Sequence, residues 1–74
     1  MINEHERVVL TVDFPERGLR AGDVGVVVMV HGEGEGYEVE IFTLDGKTLD
    51  VITVEAEQVR PVSPMEVMHA RRVA

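Results

Sequence analysis

Over most of the 74-residue chain the apolar side chains recur at every second position, and this spacing restricts the fold more than any other feature. Alternation of period two gives an extended strand two distinct faces, whereas a helix repeats every 3.6 residues. Residues 7–14, RVVLTVDF, set Val8, Leu10, Val12 and Phe14 on one face and Val9, Thr11 and Asp13 on the other. Pro15 has no backbone N–H, so pairing is expected to stop there. Leu19 stands alone among polar neighbours in the loop PERGLRAGD and is expected to return to the core.

Residues 23–31, DVGVVVMVH, are apolar on both faces, as in a strand that is central or covered on its second side. Gly25 within it suits a bulge or sharp bend. The stretch GEGEG then reads as the hairpin loop into a third strand over residues 37–44, YEVEIFTL, with Tyr37, Val39 and Ile41 on one side and Glu38 and Glu40 facing water. Asp45-Gly46 predicts a type I′ hairpin turn. A fourth strand spans residues 47–54, one 3₁₀ turn covers residues 55–58, and a fifth strand runs over residues 59–62.

Ser63, Pro64 and Glu66 form a helix-start pattern: an N-cap, a proline at the first helical position and the acidic half of a capping box. A helix to about Val73 is therefore expected. It would have fewer than three turns and would need a surface to dock on. The expected architecture is mainly β. It is a five-stranded SH3-like small barrel over residues 1–62, with a short C-terminal α-helix over residues 63–74 appended to the same domain.

A chain this short buries only about 60% of its unfolded surface and is marginally stable. It has no cysteine, so no disulfide, thiolate metal site or thiol nucleophile is available. The N-terminus MINEHERVVL lacks a basic region followed by a long apolar stretch, so no signal peptide is expected. No apolar run is long enough to cross a bilayer as a helix. A cytoplasmic location is the expectation. Fourteen acidic residues oppose seven lysines and arginines, a formal charge of −7. That balance disfavours nucleic acid and anionic lipid, and it favours a basic protein partner or simple solubility.

Three segments, GLRAGDVGVVVMV, GEGYEVEIFTLDGKT and VEAEQVRPV, together resemble a small uncharacterised bacterial family, a domain of unknown function. The shared pattern is leucine-x-x-Gly-Asp-x-Gly-x-Val, a Tyr-x-Val-Glu-Phe-like strand and a closing Val-Arg, over roughly residues 7–62. The resemblance implies an SH3-like barrel with no established enzymatic activity. It also implies a role beside a co-encoded partner, such as toxin neutralisation. AGDVGVVVMV further resembles KOW-type RNA-binding barrels. Those use basic loops, whereas the loops here carry Glu16, Glu33, Glu35 and Asp45, so the shared glycines are read as backbone geometry.

The acidic residues of GEGEGYEVE match no calcium-loop spacing. The histidines His5, His31 and His69 show no ligand spacing, so no metal and no cofactor is expected. No nucleophile stands in a catalytic pattern, and a non-enzymatic chain is expected. Val9, Val27, Met29, Met65 and Met68 exceed the apparent needs of one small core, and surplus apolar residues of this kind mark interfaces. The expectation is a protein-binding module. Glu33, Glu35, Glu38, Glu40, Asp45 and Asp50 form its acidic surface, Tyr37 is its aromatic anchor, and Met65 and Met68 are further contacts. The alternatives are a structural subunit or homodimer joined through the C-terminal helix and, less favoured, an RNA-binding module.

Overall fold

The valine-rich alternation builds strands, as β-branched side chains favour an extended backbone. The computed structural model describes residues 2–73, with β1 (Arg7–Leu10), β2 (Val24–His31), β3 (Gly36–Phe42), β4 (Thr48–Glu55) and β5 (Val59–Pro61). They form one antiparallel sheet in the order β4-β3-β2-β1-β5. Single 3₁₀ turns at Pro15–Arg17 and Ala56–Gln58 precede β2 and β5. The second lies where the 3₁₀ turn was expected, and the Glu55 and Gln58 side chains cap it reciprocally.

One face of the sheet curls around the core. Val8, Leu10, Val27, Tyr37, Val39, Ile41, Ile52, Val54 and Val59 meet there with Ile2 and Leu19. Leu19 is fully buried, and a bridge between Phe14 and Leu19 closes its loop onto the core, as its isolation in a polar loop suggested. Ile2 arrives by a turn in which His5 takes φ 73° and its N–H donates to the Val27 carbonyl, 2.7 Å away.

Two register shifts set the outer face. In β2 the shift falls at Val28, between the Val27–Val39 and Met29–Glu38 pairs, so Val27 and Val30 both turn toward the core. Gly25, the expected bulge, is instead a point of close approach. A Cβ there would lie 2.5 Å from Val39 Cγ1 and 2.8 Å from the Glu40 carbonyl oxygen. The second shift skips Leu49 between the Ile41–Asp50 and Phe42–Thr48 pairs. Asp45-Gly46 does turn the chain, but not as a type I′ turn. Gly46 alone is left-handed, at φ 87°, and the Thr43 N–H donates to the Lys47 carbonyl across a three-residue loop.

Two expectations are corrected. The SH3-like barrel does not close: the sheet is open, with β4 and β5 as its edges. β5 is only three residues long and ends on Pro61, which has no N–H to offer a neighbour. The short C-terminal α-helix is also absent from the described residues, and Ala74, the end of the span expected to hold it, lies outside them. Its start signal does form. The Glu66 side chain accepts from the Ser63 N–H at 2.7 Å, and Ser63 Oγ accepts from the Met65 N–H at 3.2 Å. The turn then stops. Arg60 grips the Glu66 carboxylate, Arg71 is held on Asp23 and Gly18, and residues 62–73 become an irregular strap. An isolated helix this short has too little cooperativity to resist those tethers. No helix of the described residues is long and apolar enough to cross a membrane.

Candidate functional site

Strand register assigns the outer face of the sheet row by row. Arg60, Val9 and Val24 stand in register across β5, β1 and β2. Arg7, Val26, Glu40 and Val51 form the next row, and Met29, Glu38 and Thr53 the third. The face therefore changes from basic and apolar at one end to acidic and hydroxylated at the other.

At the acidic end Glu38 is shared. Its Oε2 accepts the Thr53 hydroxyl at 2.8 Å and lies 2.6 Å from His31 Nε2. The His31 contact, and after it the Thr53 hydroxyl, hold the Glu38 carboxyl below its ordinary range. The carboxylate sits between imidazole and hydroxyl, so the imidazole has no direct path to the Thr53 proton. Glu40 accepts the Thr48 hydroxyl at 2.5 Å. Glu33 and Glu35 are exposed on the β2–β3 loop, in which Gly32 and Gly34 are left-handed and the Glu35 carboxylate folds back beside Gly32. The Ala56 N–H donates to the Glu35 carbonyl at 3.1 Å, which brings this loop beside the turn carrying Glu55 and Glu57. Those last two acids were not anticipated, because Glu55 to Gln58 reads from sequence only as a turn. None of Glu33, Glu35, Glu40, Glu55 and Glu57 pairs with a cation among the described residues.

The other expected site residues separate from this group. Asp50 is held by a two-pronged contact with Arg17, at 2.7 and 2.5 Å, which keeps its carboxyl low. Asp45 is engaged in its own loop by the Thr43 hydroxyl, with Lys47 Nζ at 3.8 Å. Tyr37 is 3% exposed and belongs to the core, so it presents no aromatic anchor. Met65 and Met68 are 90% and 83% exposed, but on the strap rather than on a helix.

The strap spans the opposite end of the outer face. Arg60 donates to both Glu66 oxygens at 2.8 and 2.6 Å, and with the Ser63 N–H this pulls the Glu66 carboxyl down to about 2. Further on, Arg71 donates to both Asp23 oxygens at 2.8 and 2.6 Å and to the Gly18 carbonyl at 2.9 Å. Arg71 is the main cause of the lowered Asp23 carboxyl. Between strap and sheet lies a cleft of about 970 Å³ whose apolar floor includes Val9, Val24, Val26, Phe42 and Leu49. Sequence gave no signal for this contact, since Asp23 and Arg71 are 48 residues apart. Among the described residues no group of three or more histidine or acidic side chains stands close enough to hold a metal ion.

A family model described as Domain of unknown function (DUF4926) matches residues 4–61. No curated protein and no solved structure matches the chain.

Proposed function

The chain belongs to this family of unknown function, and on that premise we propose that it is a non-catalytic protein-binding module whose acidic end docks on a basic surface of a partner protein. A co-encoded toxin-like protein is the partner that fits this reading. The observation that carries it is the separation of charge. Glu33, Glu35, Glu55 and Glu57 gather at one end with no cation paired to them among the described residues, while Arg17, Lys47, Arg60 and Arg71 are each taken up by a carboxylate elsewhere. An unneutralised end steers an oppositely charged partner and raises its association rate. The non-catalytic reading is supported by the threonine hydroxyls. Those of Thr11, Thr43, Thr48 and Thr53 all donate to carbonyls or carboxylates of the fold itself.

Pull-down with the tagged chain at low and high salt tests the proposal. Capture of a basic protein should weaken as salt rises, and the triple variant E33Q/E35Q/E57Q should weaken it at low salt. A partner whose association ignores both changes would count against it.

A second reading, a self-associating structural subunit, draws on the exposure of Met65, Val67 and Met68. Among the described residues no C-terminal helix is present to join two copies, so the strap would have to serve. That reading requires M65D/M68D to lower the mass in solution.

A further inference from the structure

The strap cleft inverts the charge of the molecule. Of the seven lysines and arginines in a chain of net charge −7, Arg7, Arg60, Arg71 and Arg72 line this one cleft. Among the described residues the carboxylates lining it are Asp23 and Glu66, which are consumed by Arg71 and Arg60. Arg7 and Arg72 hold no carboxylate among the described residues.

Beneath these cations the sheet presents large apolar side chains that the core does not use. Val24 is 47% exposed, Phe42 42% and Leu49 42%. Val67 and Met68 of the strap also line the cleft and are 85% and 83% exposed, so the strap does not fill it. The volume, about 970 Å³, is at the upper end of the range for pre-formed binding sites. An apolar floor beneath guanidinium groups suits an occupant that is apolar along its body and anionic at its flanks.

We infer that the strap cleft binds an aliphatic segment of a partner protein flanked by carboxylates. This rests on the reading of the chain as a protein-binding module, but it concerns the end of the sheet opposite the acidic docking surface. Such a segment buries its aliphatic side chains on Val24, Val26 and Phe42 while its carboxylates meet Arg7 and Arg72. Methionine in the strap lets the cover adapt to the segment it closes on. The two ends together set a direction: the partner presents cations toward Glu33 and Glu35 and carboxylates toward the strap.

The test is an NMR titration of the ¹⁵N-labelled full chain with a blocked five-residue peptide alternating glutamate and leucine. Its counterpart with lysine in place of glutamate is titrated in parallel. The glutamate peptide should shift the amides of Val24, Val26, Phe42 and the strap in a saturable way, at least tenfold more tightly than the lysine peptide. R7E/R72E should reverse that preference, and E33Q/E35Q should leave it unchanged. Absence of shifts, equal binding of both peptides, or unaltered preference in R7E/R72E would overturn the inference. So would shifts at these amides that follow protein concentration without peptide, because a second copy would then be the occupant. Salt-sensitive capture of a basic partner by the acidic end is unaffected by any of these failures, so the two proposals fall separately.

Discussion

At Gly25 the backbone of β2 leaves no room for a side chain. A Cβ would meet the Glu40 carbonyl oxygen at 2.8 Å, and this is backbone that cannot swing aside. G25A should cost about 1–3 kcal/mol, the usual penalty for overpacking, and appear as a lower urea midpoint. The strap depends on single residues in another way. The Glu66 carboxyl is lowered from 4.5 to about 2, chiefly by Arg60 and then by the Ser63 N–H. A carboxyl lowered in the folded state stabilises that state above its ordinary pKa, and the contribution disappears as pH falls toward the folded value. Asp23 is displaced the same way from 3.8, chiefly by Arg71. Both clamps should therefore hold unchanged at neutral pH and loosen only on acidification below about 4.5. The Ser63 and Met65 amide shifts measured against pH check this. A Glu66 midpoint at its ordinary value would mean that the clamp is open in solution.

At the level of the strand, the open edge of β4 poses the main hazard, because one side of this eight-residue strand has no neighbouring strand and invites a second one. Glu40 turns its carbonyl toward β2, so its β4 partner Val51 turns its own N–H to the open edge. That N–H donates to Asp50 Oδ1 at 2.9 Å, and Arg17 holds the carboxylate in place. Four pairs along, at Gly36–Glu55, the Glu55 N–H donates to Gln58 Oε1 at 2.9 Å. Asp50, expected to belong to a docking surface, is thus a cap on the strand edge. D50A/Q58A should self-associate as concentration rises in sedimentation velocity runs, while R17A, which keeps the carboxylate, should do so less. A double variant that stays monomeric would show that these caps do not guard the edge. The strands themselves were legible because alternation is a local property of the chain. The bulges at Val28 and Leu49 were not, because a run such as VVVM is apolar in either register and only the partner strand decides which residue is skipped.

For the molecule as a whole, stability rests on one small core. A domain of 74 residues has about 4–11 kcal/mol of stability in all. Leu10 is 1% exposed within that core. L10A should remove about 2–5 kcal/mol, enough to unfold a large fraction of the chain at physiological temperature, as followed by circular dichroism. M68D, on the exposed strap, should change stability by no more than about 0.5 kcal/mol. Local periodicity was enough to specify the β class, the five strands and the shared face of Tyr37, Val39 and Ile41, and the isolation of Leu19 in a polar loop pointed to its return to the core. The sequence also carried the acidic excess and the family resemblance, later met in the match over residues 4–61. Long-range packing settles that the sheet stays open, that Tyr37 is core rather than surface, and that, among the described residues, the acids divide between an unpaired end and ion pairs. It also decides the fate of the C-terminal segment. The helix signal at Ser63 is local and worth little over so few residues, whereas Arg60–Glu66 and Arg71–Asp23 are contacts between distant parts of the chain. Nothing in a one-dimensional pattern indicates which carboxylate an arginine will reach, and those two contacts turn a would-be helix into a strap over a cleft.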